Sequence, residues 1–182
     1  EVIKLGGLVV YPTETLYGLG ANVFDVNAIH RVFEIKDRDQ SKPSSIAFRN
    51  LAQAKKFLEF TPVADKLAKK FLPGPLTIIL NSKIDFDDFL GRNKVSVRIP
   101  DHPVAQALLN EVKIPITATS ANIAGGKNPT EARIAIEQIG DKVDLVLDAG
   151  KCEYGMPSTV VDCSSGEIEI IREGAISKEE IL

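Results

Sequence analysis

Apolar residues along the chain recur at two spacings, one near two residues and one of three to four. Residues 7–12, "GLVVYP", form an apolar run that predicts a buried strand. Residues 26–36 carry Val26, Ile29, Val32 and Phe33 on one face of a helix, with Asp25 placed as its cap. A short strand is expected at 44–48 and a helix at 51–60, with Asn50 before it. A second helix is expected at 61–72, where Thr61 caps and Pro62 takes the first helical position. The "PGP" at 73–75 stops it, and "LTIIL" at 76–80 follows as a strand. Residues 94–100, "KVSVRIP", alternate as a strand does. A helix at 103–112, a strand at 115–120 and a helix at 129–139 with Thr130 near its start come next. Strands at 144–150, 158–164 and 167–174 follow, and Ser177 has capping-box spacing to Glu180 for a last short helix.

Helices and strands interleave, so the expected class is α/β or mixed α+β, built on one twisted mixed sheet. With 182 residues, 44% hydrophobic and 26% charged, the chain is expected to be one globular domain over 1–182. No apolar run approaches the ~20 residues of a membrane span, and no signal peptide is visible. Cys152 and Cys163 have neither metal-ligand spacing nor the look of a disulfide framework, which points to a reducing cytoplasm. The net charge of -3 gives no global argument for nucleic acid, so any anion site must be built locally.

Five polar clusters sit at strand ends or loops. The first is "YPTETLYGLG" at 11–20, with small hydroxyls and glycines directly after a strand. Taken alone it reads equally as a turn or as a ligand loop, and it lacks the third glycine of a dinucleotide fingerprint. The second, "KDRDQSKP" at 36–43, sets Lys36, Arg38 and Lys42 at a helix end. Cations are favoured there by the helix dipole, and they also suit a phosphate clamp. In the third, 94–100, Lys94, Ser96 and Arg98 face one side of a strand while Val95, Val97 and Ile99 face the core. The fourth, "TATSANIAGGKNPT" at 117–130, packs hydroxyls, amides and glycines before a helix, a composition that suits an anion or ligand loop. In the fifth, Ser158 begins one strand and Arg172 ends the next, and a hairpin between them is expected to set the two at opposite ends of one pair.

Phosphate-loop, nucleophile-elbow and zinc-protease motifs are all missing. His30 is expected on a helix surface and His102 in a turn, and the cysteines read as small core residues. What remains is a set of cations, hydroxyls and amides without an obvious covalent nucleophile. That set suits a reaction run by positioning and charge stabilisation.

Taken in order, "YPTETLYGLGANVFD", "IKDRDQSKP", "PGPLTIIL", "VSVRIPDHP", "TSAN", "PSTVVD" and "IIREGAI" resemble the YrdC family over about residues 8–176. The resemblance implies a twisted mixed sheet with helices around a concave, positively charged cavity. It implies a threonylcarbamoyl-AMP synthase, which joins L-threonine, bicarbonate or CO2, and ATP, and releases pyrophosphate. A downstream transferase then modifies tRNA, magnesium is expected with the triphosphate, and contact with tRNA or double-stranded RNA stays open. Carried over by motif, Lys36 and Arg38 are the catalytic basic pair. Thr15, Arg98, Ser120 and Ser158 contact threonine, and the glycines beside Thr15 admit backbone close to the ligand. Lys36, Arg38, Lys42, Lys94, Asn122, Thr130 (with Asn128 as second choice) and Arg172 contact ATP. No protein metal site is implied.

The chain departs from the family pattern in places. Asp37 and Asp39 flank Arg38, two acids that weaken a phosphate clamp unless they point away or hold magnesium. Ser44 and Ser45 stand where apolar residues are common, and Ala47 where some members place a histidine for threonine. The chain begins close to its first strand without a methionine, so a short leading segment is expected before it, and no room is left at 182 for the extra domain of longer members. Two other readings compete. One is an RNA-binding module without catalysis. The other is an enzyme that uses carbamoyl phosphate and ATP, although such proteins add zinc-binding cysteine motifs that this chain lacks.

Overall fold

A computed structural model describes residues 1–39 and 41–182. The strands are β1 (Val9–Tyr11), β2 (Gly18–Gly20), β3 (Ile46–Ala47), β4 (Leu76–Asn81), β5 (Lys94–Arg98), β6 (Ile116–Thr117), β7 (Thr119–Ser120), β8 (Leu145–Val146), β9 (Thr159–Asp162) and β10 (Glu169–Arg172). The helices are α1 (Val26–Lys36), α2 (Leu51–Phe57), α3 (Pro62–Phe71), α4 (Pro103–Val112), α5 (Ala132–Ile139) and α6 (Lys178–Ile181). Among the described residues no helix is long and apolar enough to cross a membrane.

The class is mixed α+β, as expected, but the strands form two sheets instead of one. The smaller runs β7-β2-β1-β8 and the larger β10-β9-β4-β5-β3-β6, and both mix parallel and antiparallel pairs. The division falls at Ala118. Residues 115–120 read as one strand, but Ile116 and Thr117 pair with β3, Ala118 N–H donates to Ser45 O at 2.7 Å as the last rung on that side, and Thr119 and Ser120 pair with β2. The chain therefore leaves the large sheet as β6 and enters the small one as β7. Thr117 secures the crossing: its hydroxyl donates to Leu19 O at 2.7 Å and accepts from Ala21 N at 2.9 Å.

Helix ends follow local chemistry. Asp25, Asn50 and Thr61 accept from backbone N–H groups of their first turns, and Ser177 with Glu180 makes a full capping box. His102 is a cap as well as a turn residue, its Nδ1 accepting from Val104 N at 3.2 Å. Val26 is exposed, unlike Ile29, Val32 and Phe33. At ~100° per residue it lies only about 20° from Phe33, so angle does not set it apart; it is the first residue of the helix, at the exposed end of that face. α2 stops at Phe57 because Leu58 bridges to Ser82 and Glu59 N donates to Asn81 O. α5 starts at Ala132, after Thr130, with no side-chain cap.

β1 has core on both faces. Leu8 and Val10 join the main core, while Val9 and Tyr11 pack with Ala105, Leu109 and Ile116 in a second cluster. Tyr11 explains two glycines. It lies opposite Gly18 in the β1–β2 ladder, and a Cβ on Gly18 or Gly20 would come within 2.9 or 3.0 Å of its ring. These glycines make room for an aromatic ring that donates its hydroxyl to Thr117 O at 3.0 Å. The space at Gly20 thus goes to Tyr11 and not to a ligand. Gly18→Ala should cost about 1–3 kcal/mol through overpacking. Urea unfolding measures it, and the loss should shrink in a Tyr11→Leu background.

Candidate active site

The two sheets and the 117–130 loop enclose a cavity of about 260 Å³. Three arginines from separate elements reach it: Arg38 just past α1, Arg98 at the end of β5 and Arg172 at the end of β10. Small hydroxyl residues fill the wall between them, chiefly Thr15, Thr77, Thr119, Ser120 and Ser158.

Arg98 is 8% exposed, and its Nη2 donates to Glu14 Oε1 at 2.7 Å, to Thr13 Oγ1 at 3.3 Å and to Thr15 Oγ1. Glu14, 2% exposed, also accepts from Asp101 N through Oε2 at 3.0 Å. The Arg98 Nε is buried without a hydrogen-bond partner among the described residues. Arg38 is held differently. It donates to the carbonyls of Lys42 and Pro43 at 2.7 and 2.8 Å and to Thr119 Oγ1 at 2.9 Å, with its guanidinium over the Phe33 ring. Arg172 Nη2 donates to Ser158 O at 2.8 Å. Neither Arg38 nor Arg172 has a carboxylate partner among the described residues. Burial and then the charge of Arg172 push Arg38 below its ordinary pKa, and burial and then Arg98 do the same to Arg172. The three cations feel one another across the cavity.

Antiparallel pairing corrects the expectation for Ser158 and Arg172. The start of β9 and the end of β10 fall at the same end of the ladder, where Arg172 pairs with Val160, so the two residues meet. Ser158 Oγ also lies 2.8 Å from Thr77 Oγ1.

Of the residues singled out in the sequence, Thr15, Arg38, Arg98, Ser120, Ser158, Arg172 and the second choice Asn128 line the cavity. Lys36, Lys42, Lys94, Asn122 and Thr130 stand outside its lining. Lys94 does share a strand face with Arg98, but four residues at ~3.3 Å each separate them. Its Nζ lies 2.6 Å from Asp162 Oδ2. Lys36 is 1% exposed and donates to Ser120 O, Asn122 O and Asn122 Oδ1. Burial and then Arg38 bring its pKa down to about 7. The flanking acids turn aside: Asp39 is exposed and accepts from Ser41 N at 2.9 Å, and Asp37 is an exposed helix end with φ of 48°. Ser45 and Ala47 line the cavity, so two of the sequence departures fall on its wall.

Sequence reading missed Glu14, Thr77 and Thr119. Glu14 carried a signal, an acid between two threonines in the first polar cluster. Thr77 in "LTIIL" looked like any strand threonine, and only the pairing of β4 with β5 and β9 brings it to Arg98 and Ser158.

The molecule is thus an α+β protein whose two sheets enclose an arginine-lined cavity. The family model described as Sua5_yciO_yrdC, telomere recombination, matches residues 1–174. A putative threonylcarbamoyl-AMP synthase of Methanocaldococcus jannaschii is 39% identical over 176 residues, 97% of this chain and 84% of that relative. The threonylcarbamoyl-AMP synthase of Pyrococcus abyssi is 38% identical over 182 residues, 98% of this chain and 54% of that relative. The chain thus spans about half of the archaeal enzyme's length. The crystal structure of P. abyssi Sua5 complexed with L-threonine has a TM-score of 0.94 at 38% identity, covering 99% of this chain and 54% of that one. Escherichia coli YciO has a TM-score of 0.87 at 27% identity, covering 100% and 89%. The chain belongs to the Sua5/YciO/YrdC family.

Removing Glu14 leaves the buried Arg98 charge uncompensated. Glu14→Ala should lower stability by about 3–5 kcal/mol in urea unfolding. Glu14→Gln should lose less, because its amide oxygen still accepts from Arg98.

Proposed function

We propose that the chain is a threonylcarbamoyl-AMP synthase, a nucleotidyltransferase that joins L-threonine, bicarbonate or CO2, and ATP. The observation that carries this reading is how charge is divided inside the cavity. Arg98 is neutralised by Glu14, whereas Arg38 and Arg172 are held only by carbonyls and a hydroxyl. A neutralised arginine among hydroxyls suits a zwitterionic amino acid, which has no net charge. Unneutralised arginines suit a polyphosphate.

Threonine is assigned to the Arg98 end. Its carboxylate takes the Arg98 edge that Glu14 leaves open, and Thr15, Ser120 and Ser158 orient the rest. ATP is assigned to Arg38 and Arg172. The threonine amine adds to CO2 and releases a proton, which gives a carbamate. When bicarbonate is the source, water is lost. A carbamate oxygen then forms a bond to the α-phosphorus as the bond to the β-phosphate oxygen breaks, and pyrophosphate leaves. The chain supplies alignment and charge stabilisation to this step, with no covalent intermediate on the protein. Among the described residues no group of three or more His, Cys, Asp or Glu side chains could hold a metal ion. We assign magnesium to the triphosphate, as part of the substrate. The free, buried Cys152 and Cys163 fit a reducing cytoplasm. The mixed anhydride product needs an acceptor, for which we assign the downstream transferase that modifies tRNA.

The test is pyrophosphate release from ATP, with threonine and bicarbonate each omitted in turn. Release should require both. Arg38→Ala should cut turnover by about 10²–10³-fold, the usual loss when one charge-stabilising donor is removed. Release without threonine would sink the assignment, and full turnover in Arg38→Ala would move the phosphate clamp elsewhere.

A further inference from the structure

An ammonium group has three N–H donors. The three contacts of Lys36 account for all of them: Ser120 O, Asn122 O at 2.8 Å and Asn122 Oδ1 at 3.1 Å. The side chain is 1% exposed, lies outside the cavity lining and has no carboxylate partner among the described residues. Its own carbonyl also accepts from Ala124 N at 2.7 Å, so both ends of the residue are tied to one loop. That loop is closed from within. Asn122 Oδ1 accepts from Ser120 Oγ at 2.7 Å, and Asn122 Nδ2 donates to the carbonyls of Gly126 and Lys127 at 3.2 and 3.3 Å. The loop therefore presents several inward carbonyl oxygens around a single buried cation, and Ser120 is the member that reaches the cavity.

From this geometry we infer that Lys36 is a positioning residue and not a phosphate ligand: its ammonium is the central strut that sets the Ser120–Asn122 turn, and so the Ser120 hydroxyl, against the substrates. Of the two, only Arg38 faces the cavity and contacts phosphate. Asn122 belongs to the same strut, since its amide is spent inside the loop. Without the ammonium, three oxygens converge with nothing to hold them together. Such groups repel and seek water, so the turn opens. Arg38 stays in place because its own anchors are Lys42 O, Pro43 O and Thr119 Oγ1.

The inference rests on the synthase reading, so threonine-dependent pyrophosphate release by the unaltered protein comes first; its absence would defeat that reading and leave the binding arm below intact. Lys36→Met keeps the stem and removes the donors. Inorganic tripolyphosphate, titrated by calorimetry, should bind this variant within about threefold of the unaltered protein, whereas Arg38→Met should lose about 10–100-fold, the worth of a charge-assisted contact. Turnover of Lys36→Met should fall about 10²-fold, and hydrogen exchange at Ala124 and Gly126 should quicken. Equal loss of tripolyphosphate by both variants, with loop exchange unchanged, would overturn the inference. If Lys36→Met does not fold, a crystal structure of the unaltered protein with tripolyphosphate decides. Lys36 Nζ still on Ser120 and Asn122 supports the strut, and Lys36 Nζ within about 3 Å of a phosphate oxygen defeats it.

Discussion

The ion pair between Arg98 and Glu14 is the constraint around which the cavity is arranged. Arg98 ends a strand of the large sheet, and Glu14 lies in the loop between two strands of the small one. Both are buried, and a buried charge is tolerated only when it is paired and hydrogen-bonded. The pair therefore fixes the distance between the sheets at the point where the cavity lies. It also fixes the "PTET" loop, because Thr13 and Thr15 share the same guanidinium nitrogen. The loop that looked like a ligand loop in the sequence owes much of its shape to this one cation.

Lys36 does for the second loop what Arg98 does for the first, with carbonyl dipoles in place of a carboxylate. One cation per loop, each buried, is an economical way to hold irregular backbone whose polar groups have no sheet or helix partner. The two differ in what they leave free. Lys36 is saturated by the chain itself, Arg98 is neutralised by Glu14 but keeps its Nε unpartnered, and the unneutralised cations, Arg38 and Arg172, are anchored mainly through carbonyls that leave their charge intact.

The small residues of the site follow from packing as much as from ligand access. Gly18 and Gly20 yield space to Tyr11, whose hydroxyl reaches the crossing between the sheets at Thr117. Ala118 at that crossing lines the cavity, as do Ser45 and Ala47 beside it. Chain crossing and cavity wall are one piece of structure, so a side chain enlarged here would press on both.

Much of this protein was legible in its residues. The helix starts at Asp25, Asn50, Thr61 and Ser177 were readable because a cap is a contact between neighbours in sequence. The inward and outward faces of 94–98 were readable because side chains alternate along any strand. The cation-bearing and hydroxyl-bearing clusters, and the family they resemble, were readable from motif order. Tertiary structure alone decided which of those cations meet the cavity. Lys36 and Arg38 are two residues apart, yet one turns inward to a loop 84 or more residues away and the other lines the cavity. Lys94 and Arg98 share a face, yet the register of β5 against β4 and β9 sets one beside Asp162 and the other beside Glu14. Ser158 and Arg172 meet because their strands run antiparallel, and Ala118 divides one apparent strand between two sheets. Local periodicity specifies a direction for each side chain. What lies in that direction depends on contacts between segments separate in sequence, and no local pattern encodes those.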